Sequence, residues 1–329
     1  MVTGSRHFPH SYGFDPSYGM DLDQLLAIQP PDPPADFATF WRARYERARQ
    51  IDPKPQVVPA NRVLHGYAVH DLNYSSTDGV QIGGWLLLPE GGEVQRGIVV
   101  GHGYGCCEVP AEPLVFEDAA MLFPCFRGLG RSPVQGVSQD PNYHVLHDIQ
   151  DRDRYILGGC VEDLWLGVSA LVSLFPQVIG NLAYMGISFS GGIGALAAPW
   201  DDRISRLHLR VPTFGHQALR LTLPTVGSGE AVRAFRRSHS LNVMETLAYY
   251  DAAVSARYLR IPTLVAASLF DPAVAPPGQF AIYNAIPPAL RQLYVLDAGH
   301  FDYPQREAQM RELDRVIVRF LTAAQLPAL

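Results

Sequence analysis

Three residues sit where acyl-transfer chemistry would need them. Ser188 lies in Gly186-Ile187-Ser188-Phe189-Ser190-Gly191-Gly192, after the apolar run Leu182-Ala183-Tyr184-Met185 and before Ile193-Gly194-Ala195-Leu196-Ala197-Ala198. A buried strand feeding a helix through a tight turn has this pattern. A serine at the apex of such a turn is held clear of the backbone, with a helix N-terminus behind it. Its hydroxyl can attack an ester carbonyl if a base takes its proton and a carboxylate orients the base. Asp271 follows the strand-like Thr263-Leu264-Val265-Ala266, and His300 follows Leu293-Tyr294-Val295-Leu296.

A lone G-x-S-x-S carries little weight, because serine and glycine often meet in turns for purely structural reasons. The order Ser, Asp, His carries more. Each residue ends a separate apolar strand, and the spacings leave room for intervening helices, as in the α/β-hydrolase fold. An earlier strand, Gly97-Ile98-Val99-Val100, runs into Gly101-His102-Gly103-Tyr104-Gly105. That loop stands where the fold draws its second oxyanion donor. His102 reads as a residue that holds the turn and not as a base.

The elements that must position these groups can be traced along the chain. Residues 1–35 are rich in Tyr, Pro and Gly and end in Pro30-Pro31-Asp32-Pro33-Pro34. This composition argues against a regular helix or central strand. It predicts an arm laid on the domain or on a neighbouring subunit. Asp36 is expected to cap a helix over Phe37 to Gln50, with Phe40, Trp41 and Tyr45 on one apolar face. Strands are expected over 63–69 and 72–76, followed by an Asp78-Gly79 hairpin turn into 80–88. Strands and helices then alternate, which predicts a doubly wound, mostly parallel sheet. Its members are strands at 98–100, 121–126 and 207–211 and helices at 161–174 and 305–323. Residues 213–250 break the alternation and are expected to form a helical insert over the active-site face. The Arg233, Arg236, Arg237 run within it reads as a solvated helix face or subunit contact. The whole is expected to be one α/β domain over residues 1–329, although the length alone would also allow two small domains.

Composition narrows the partners. A net charge of −6, with no block of Lys or Arg, gives nucleic-acid binding little support. No apolar run reaches the roughly 18 residues of a membrane span. The N-terminus lacks a hydrophobic signal core, so a cytoplasmic protein is expected. The four cysteines, Cys106, Cys107, Cys125 and Cys160, contain no C-x-x-C pair. They read as reduced small residues, not as metal ligands. His144 and His147, like His7 and His10, read as structural or surface groups. No metal or organic cofactor is expected.

On these runs the chain resembles the acetyl xylan esterase/cephalosporin-C deacetylase family, carbohydrate esterase family 7. The resemblance covers nearly the whole length. It rests on Pro33-Pro34-Ala35-Asp36-Phe37 through Trp41, His102-Gly103-Tyr104-Gly105, Glu245-Thr246-Leu247-Ala248-Tyr249-Tyr250-Asp251, and Asp271 with Pro276-Pro277 and Phe280-Ala281-Ile282-Tyr283-Asn284. It implies Ser188 as nucleophile, Asp271 as acid and His300 as base, with the backbone N–H groups of Tyr104 and Phe189 forming the oxyanion hole. It implies a serine carboxylesterase that deacetylates acetylated sugars or similar small esters, assembled as a homo-oligomer, a hexamer by family. Three departures stand out. Leu129 replaces the Gln of the family's R-G-Q-G, Phe189-Ser190 replaces the Gln-Gly after the nucleophile, and Phe301 replaces the Glu after the histidine. The two rings either line the substrate pocket, which would favour longer acyl chains, or point into the core, which would leave acetyl preferred. Two other classes compete: a serine peptidase of related fold and a catalytically inactive hydrolase-fold binding protein.

Overall fold

The computed structural model describes residues 8–105, 107, 114–239 and 242–323. Among them nine strands form one sheet: β1 (Gln56–Leu64), β2 (Tyr67–Ser75), β3 (Gln81–Pro89), β4 (Arg96–Val100), β5 (Ala119–Pro124), β6 (Leu182–Ile187), β7 (Arg206–Arg210), β8 (Thr263–Ser268) and β9 (Arg291–Leu296). Their order is β1-β2-β3-β5-β4-β6-β7-β8-β9. The first three pairings are antiparallel, and every pairing from β5–β4 to β8–β9 is parallel. The mostly parallel sheet therefore matches expectation.

The helices are α1 (Leu22–Leu26), α2 (Phe37–Arg49), α3 (Pro141–His144), α4 (Ile156–Leu174), α5 (Phe189–Ala197), α6 (Gln217–Arg220), α7 (Ser228–Ser238), α8 (Val243–Leu247), α9 (Ala252–Ala256), α10 (Pro276–Ala285) and α11 (Arg306–Thr322). They cover both faces of the sheet, which is why the central strands are apolar on both sides. Val99, Leu122, Tyr184 and Leu207 pack with α2, α4, α5 and α10. Ile98, Met121, Ala183 and Leu264 pack with α11. Of the described helices, only α4 is long and apolar enough to cross a membrane. It begins five residues before the expected Val161 and is packed against β4, β5, α2 and α5.

Three local expectations need correction. The strand expected over 63–69 is broken by a turn at His65-Gly66, whose φ angles of 47° and 83° join β1 to β2 as a hairpin. The first arm of that hairpin was missed because β1 is a largely exposed edge strand, interrupted by Pro59 and an irregular register before Arg62. Edge strands of this kind lack apolar alternation. Second, the arm contains the short helix α1. Asp21 and Gln24 form a reciprocal capping box there, with N–H donations of 2.9 and 2.8 Å. Third, Asp36 precedes α2 but its carboxylate makes no capping bond; it accepts from the Tyr249 hydroxyl instead. Of the two placements expected for the arm, on the domain or on a neighbouring subunit, the first is observed. The Asp271 N–H donates to the Pro16 carbonyl (3.1 Å), and the Tyr18 hydroxyl donates to that of Pro224 (2.7 Å).

Candidate active site

Ser188 stands at the C-terminal end of β6 and the start of α5. Its φ of 54° and ψ of −112° hold it in a conformation that side chains rarely adopt. The sequence builds the turn from three sides. Gly186 leaves room for the Ser190 backbone, which a Cβ there would strike. The Ser190 hydroxyl accepts the Ile187 N–H (3.0 Å) and donates to the Ile187 carbonyl (3.2 Å). The Ser188 N–H donates to the Arg210 carbonyl (2.9 Å), and the Thr213 N–H donates to the Ser188 carbonyl (3.1 Å).

The structure brings the three expected side chains together. The Ser188 hydroxyl reaches His300 Nε2 at 2.9 Å, and His300 Nδ1–H donates to Asp271 Oδ2 at 2.8 Å. Because the carboxylate only accepts, Nδ1 carries the proton and Nε2 is left as the acceptor for the serine. Asp271 is fully buried, just after β8. Its Oδ1 accepts the N–H groups of Ala273 and Val274 at 2.9 Å each, and its Oδ2 also accepts Gln279 Nε2–H at 3.1 Å. Burial alone would pull the His300 pKa down. The adjacent Asp271 charge and its hydrogen bond outweigh that, and the pKa is raised above the usual value.

Gln279 was not singled out from the sequence. It is fully buried on α10, and its amide also donates to Ser268 Oγ (3.0 Å) and the Val274 carbonyl (2.7 Å). The signal available was a lone amide in the apolar stretch Phe280-Ala281-Ile282 after Asp271.

The Gly101–Gly105 loop comes up against the nucleophile, with the Cβ position of Gly103 3.8 Å from Ser188 Cβ. Phe189 is the first residue of α5, so its N–H is one of the amides that a helix leaves unpaired. No described residue accepts from the Phe189 or Tyr104 amide. The Tyr104 ring stacks on Phe189, and its hydroxyl donates to His144 Nδ1 at 2.9 Å. His144 Nε2–H donates in turn to the Arg127 carbonyl at 2.9 Å. His102 accepts the Phe126 N–H on Nε2 at 3.1 Å and lies 2.9 Å from the Gly103 carbonyl through Nδ1. Burial brings the pKa of both His102 and His144 down to about 4, so both are neutral struts near neutral pH.

A cavity of about 500 Å³ opens beside Ser188 and His300. Phe189, Leu129 and Phe301 do not line it. Phe189 is fully buried among Tyr104, Phe126, His144 and Phe214. Leu129 is buried in the same core. Phe301 joins Phe8, Tyr12 and Phe270 in an aromatic cluster under the arm. Of the two orientations open from the sequence, Phe189 takes the core-facing one, and Phe301 is half-buried in its own small cluster, lining no part of the cavity.

The remaining singled-out groups are structural. Arg233 and Arg237 both pair with Glu230 on α7, at 3.0 and 3.2 Å, as a helix face would. Cys125 and Cys160 are buried, and Cys107 Sγ lies 3.4 Å from His102 Nδ1. Cys106 and His7 lie outside the described residues.

A mostly parallel sheet carrying a strained serine between strand and helix, with an acid and a histidine in the loops after later strands, defines the α/β-hydrolase fold. Residues 16–314 match the family model described as acetyl xylan esterase (AXE1), and the chain belongs to that family. It is thus a carboxylic ester hydrolase. Among solved structures, the acetyl xylan esterase from Paenibacillus sp. R4 superposes with a TM-score of 0.79 at 24% identity, over 90% of this chain and 99% of that one. Acetyl xylan esterase 1 from Thermoanaerobacterium sp. JW/SL YS485 gives 0.73 at 19% identity, over 94% and 100%. An acylaminoacyl peptidase from Pyrococcus horikoshii gives 0.59 at 15% identity, over 81% of this chain but 43% of that one. At such identities the likenesses speak to fold alone.

Proposed function

We propose that the protein is a serine carboxylesterase acting through Ser188, His300 and Asp271 on acetylated sugars or similar small esters. The observation that carries this is the unbroken line of hydrogen bonds from Ser188 Oγ through His300 to Asp271, at 2.9 and 2.8 Å. In the first half-reaction, Ser188 Oγ attacks the ester carbonyl carbon while its proton passes to His300 Nε2. Asp271 keeps the imidazole in the receptive tautomer and stabilises the imidazolium that forms. The carbonyl oxygen, now negative, takes hydrogen bonds from the Tyr104 and Phe189 amides; one such donor is worth about 3–4 kcal/mol. The C–O bond to the alcohol breaks, and the alcohol leaves with the proton from His300. A water activated by the same histidine then cleaves the acyl-enzyme, releasing the acid and restoring the serine.

Preference for a small acyl group is supported by the burial of Phe189 and by the packing of half-buried Phe301 against Phe8 and Phe270, both away from the cavity. Measuring turnover of 4-nitrophenyl acetate by Ser188→Ala and His300→Ala tests the proposal. Each should lose at least about 1000-fold in kcat with an unchanged circular dichroism spectrum. Near-normal turnover by either folded variant would reject it.

A further inference from the structure

We infer that the cavity beside Ser188 takes a substrate bearing a carboxylate, with Arg210 as the group that receives it. This rests on the esterase reading above. Arg210 is the last residue of β7 and pairs in register with Ile187, so it stands one strand from the nucleophile. Side chains alternate along a strand, and Arg206, His208 and Arg210 share the face that α11 covers. Arg206 lies over the Phe320 ring of α11, and Arg210 NH1 approaches Met310 Sδ at 3.8 Å. Arg210 lines the same cavity as Ser188 and His300, and it is the only arginine or lysine among the described lining residues.

Arg210 is half-buried, and a guanidinium drawn that far from water is costly unless it meets an anion, because it cannot shed its proton. Elsewhere the chain meets this cost inside itself. Arg127 forks onto Asp163 at 2.7 Å, and Arg203 onto Asp201 at 2.6 Å. Arg220, which is buried, has the Phe214 ring and Gln217 Oε1. Arg210 has no such ion pair among the described residues; its hydrogen-bonding neighbour is a thioether. Burial pulls its pKa down, Asp314, which also lines the cavity, offsets part of this, and Arg306 at the start of α11 adds to it.

The other groups facing Arg210 leave room for an outside anion. His208 has its pKa brought to about 3 by burial and by Arg210, so it adds no positive charge. Asp314 lies beyond ion-pair distance, and burial holds its pKa above the usual carboxylate range despite the pull of Arg210. Arg210 shares the cavity wall with His300, which also feels its charge. A substrate carboxylate in the cavity would pair with the guanidinium in the planar, two-pronged manner that arginine favours. The acid group can belong to the acyl half of the ester or to the alcohol half, and the two are separable by experiment.

The test compares kcat/KM within two matched pairs, using the full chain. For an acidic acyl group the pair is 4-nitrophenyl hemiglutarate against 4-nitrophenyl pentanoate, with spontaneous hydrolysis subtracted. For an acidic alcohol it is 4-acetoxybenzoate against 4-acetoxybenzamide. In one arm the acidic ester should exceed its neutral partner by about tenfold or more, the usual size of a charge-assisted hydrogen bond. That ratio should collapse in Arg210→Gln, mainly through KM, and be partly kept in Arg210→Lys. It should rise in Asp314→Asn, where the competing carboxylate is gone. The Asp314→Asn and Lys results decide the matter if Arg210→Gln does not fold. Ratios near one in both arms, or ratios unmoved by every variant, would overturn the inference while leaving Ser188-dependent turnover of the neutral esters intact. A folded enzyme that turns over none of the four esters would overturn the esterase reading and this inference together.

Discussion

The rings of Phe189 and Tyr104 lie face to face, with centroids 4.1 Å apart and planes inclined by 25°. These are the two residues proposed to supply the oxyanion-hole amides. Their side chains thus fix the distance between a helix N-terminus and a separate loop. A polar Phe189 would leave Tyr104 unsupported and bury an amide without partners.

Phe189→Gln is therefore expected to cost about 2–4 kcal/mol of stability, as loss of a core aromatic does. It should also lower kcat severalfold. The relative rates on acetyl, propionyl and butyryl esters should stay as in the wild type, because the ring does not line the cavity. Urea unfolding and an ester series measure both. A shift toward longer acyl chains in the wild type that vanishes in the variant would show that Phe189 reaches substrate after all.

Gln279 holds the oxygen of Asp271 that faces His300. Gln279→Leu removes a hydrogen bond to a charged acceptor, worth about 1.5–3 kcal/mol. The expected result is a fall in kcat of about tenfold or more with little change in KM, since no substrate contact is lost. Gln279→Glu, which sets a second negative charge against Asp271, should be worse. A KM effect with kcat intact would assign Gln279 to binding.

The pH dependence follows from His300. Its neutral form accepts the serine proton, so activity grows as the imidazolium is lost. Burial lowers its pKa, but Asp271 more than compensates, and the net shift is upward. The rise in kcat/KM with pH should accordingly be centred above the ordinary histidine value of about 6.5. Asp271→Asn should move that midpoint to lower pH while cutting kcat. A midpoint that does not move in this variant would mean that another group controls the profile.

The site was more legible than its surroundings. Ser188, Asp271 and His300 each follow an apolar strand, and strand ends are where a parallel sheet presents its functional groups, so periodicity and order located them together. The supports were harder to see. Ser190, His144 and Gln279 act through hydrogen bonds to the backbone or to the Tyr104 and Asp271 side chains, and nothing in their types or spacing marks those partners. β1 was missed because an edge strand needs no buried face, and α1 because a Pro-rich context hid its Asp21–Gln24 capping pair. The orientation of Phe189 could not be read from residue type, since both a pocket wall and a core accept a phenyl ring. It was fixed by the neighbours that tertiary packing supplied.

The central claim is that Ser188 is an activated nucleophile. Its most direct test is treatment of the intact protein with a fluorophosphonate, followed by mass mapping of the adduct. One phosphonyl group per chain is expected, on the peptide carrying Ser188, with labelling slowed by orders of magnitude in His300→Ala. No adduct on folded protein, or an adduct on a different residue that abolishes activity, would contradict the claim.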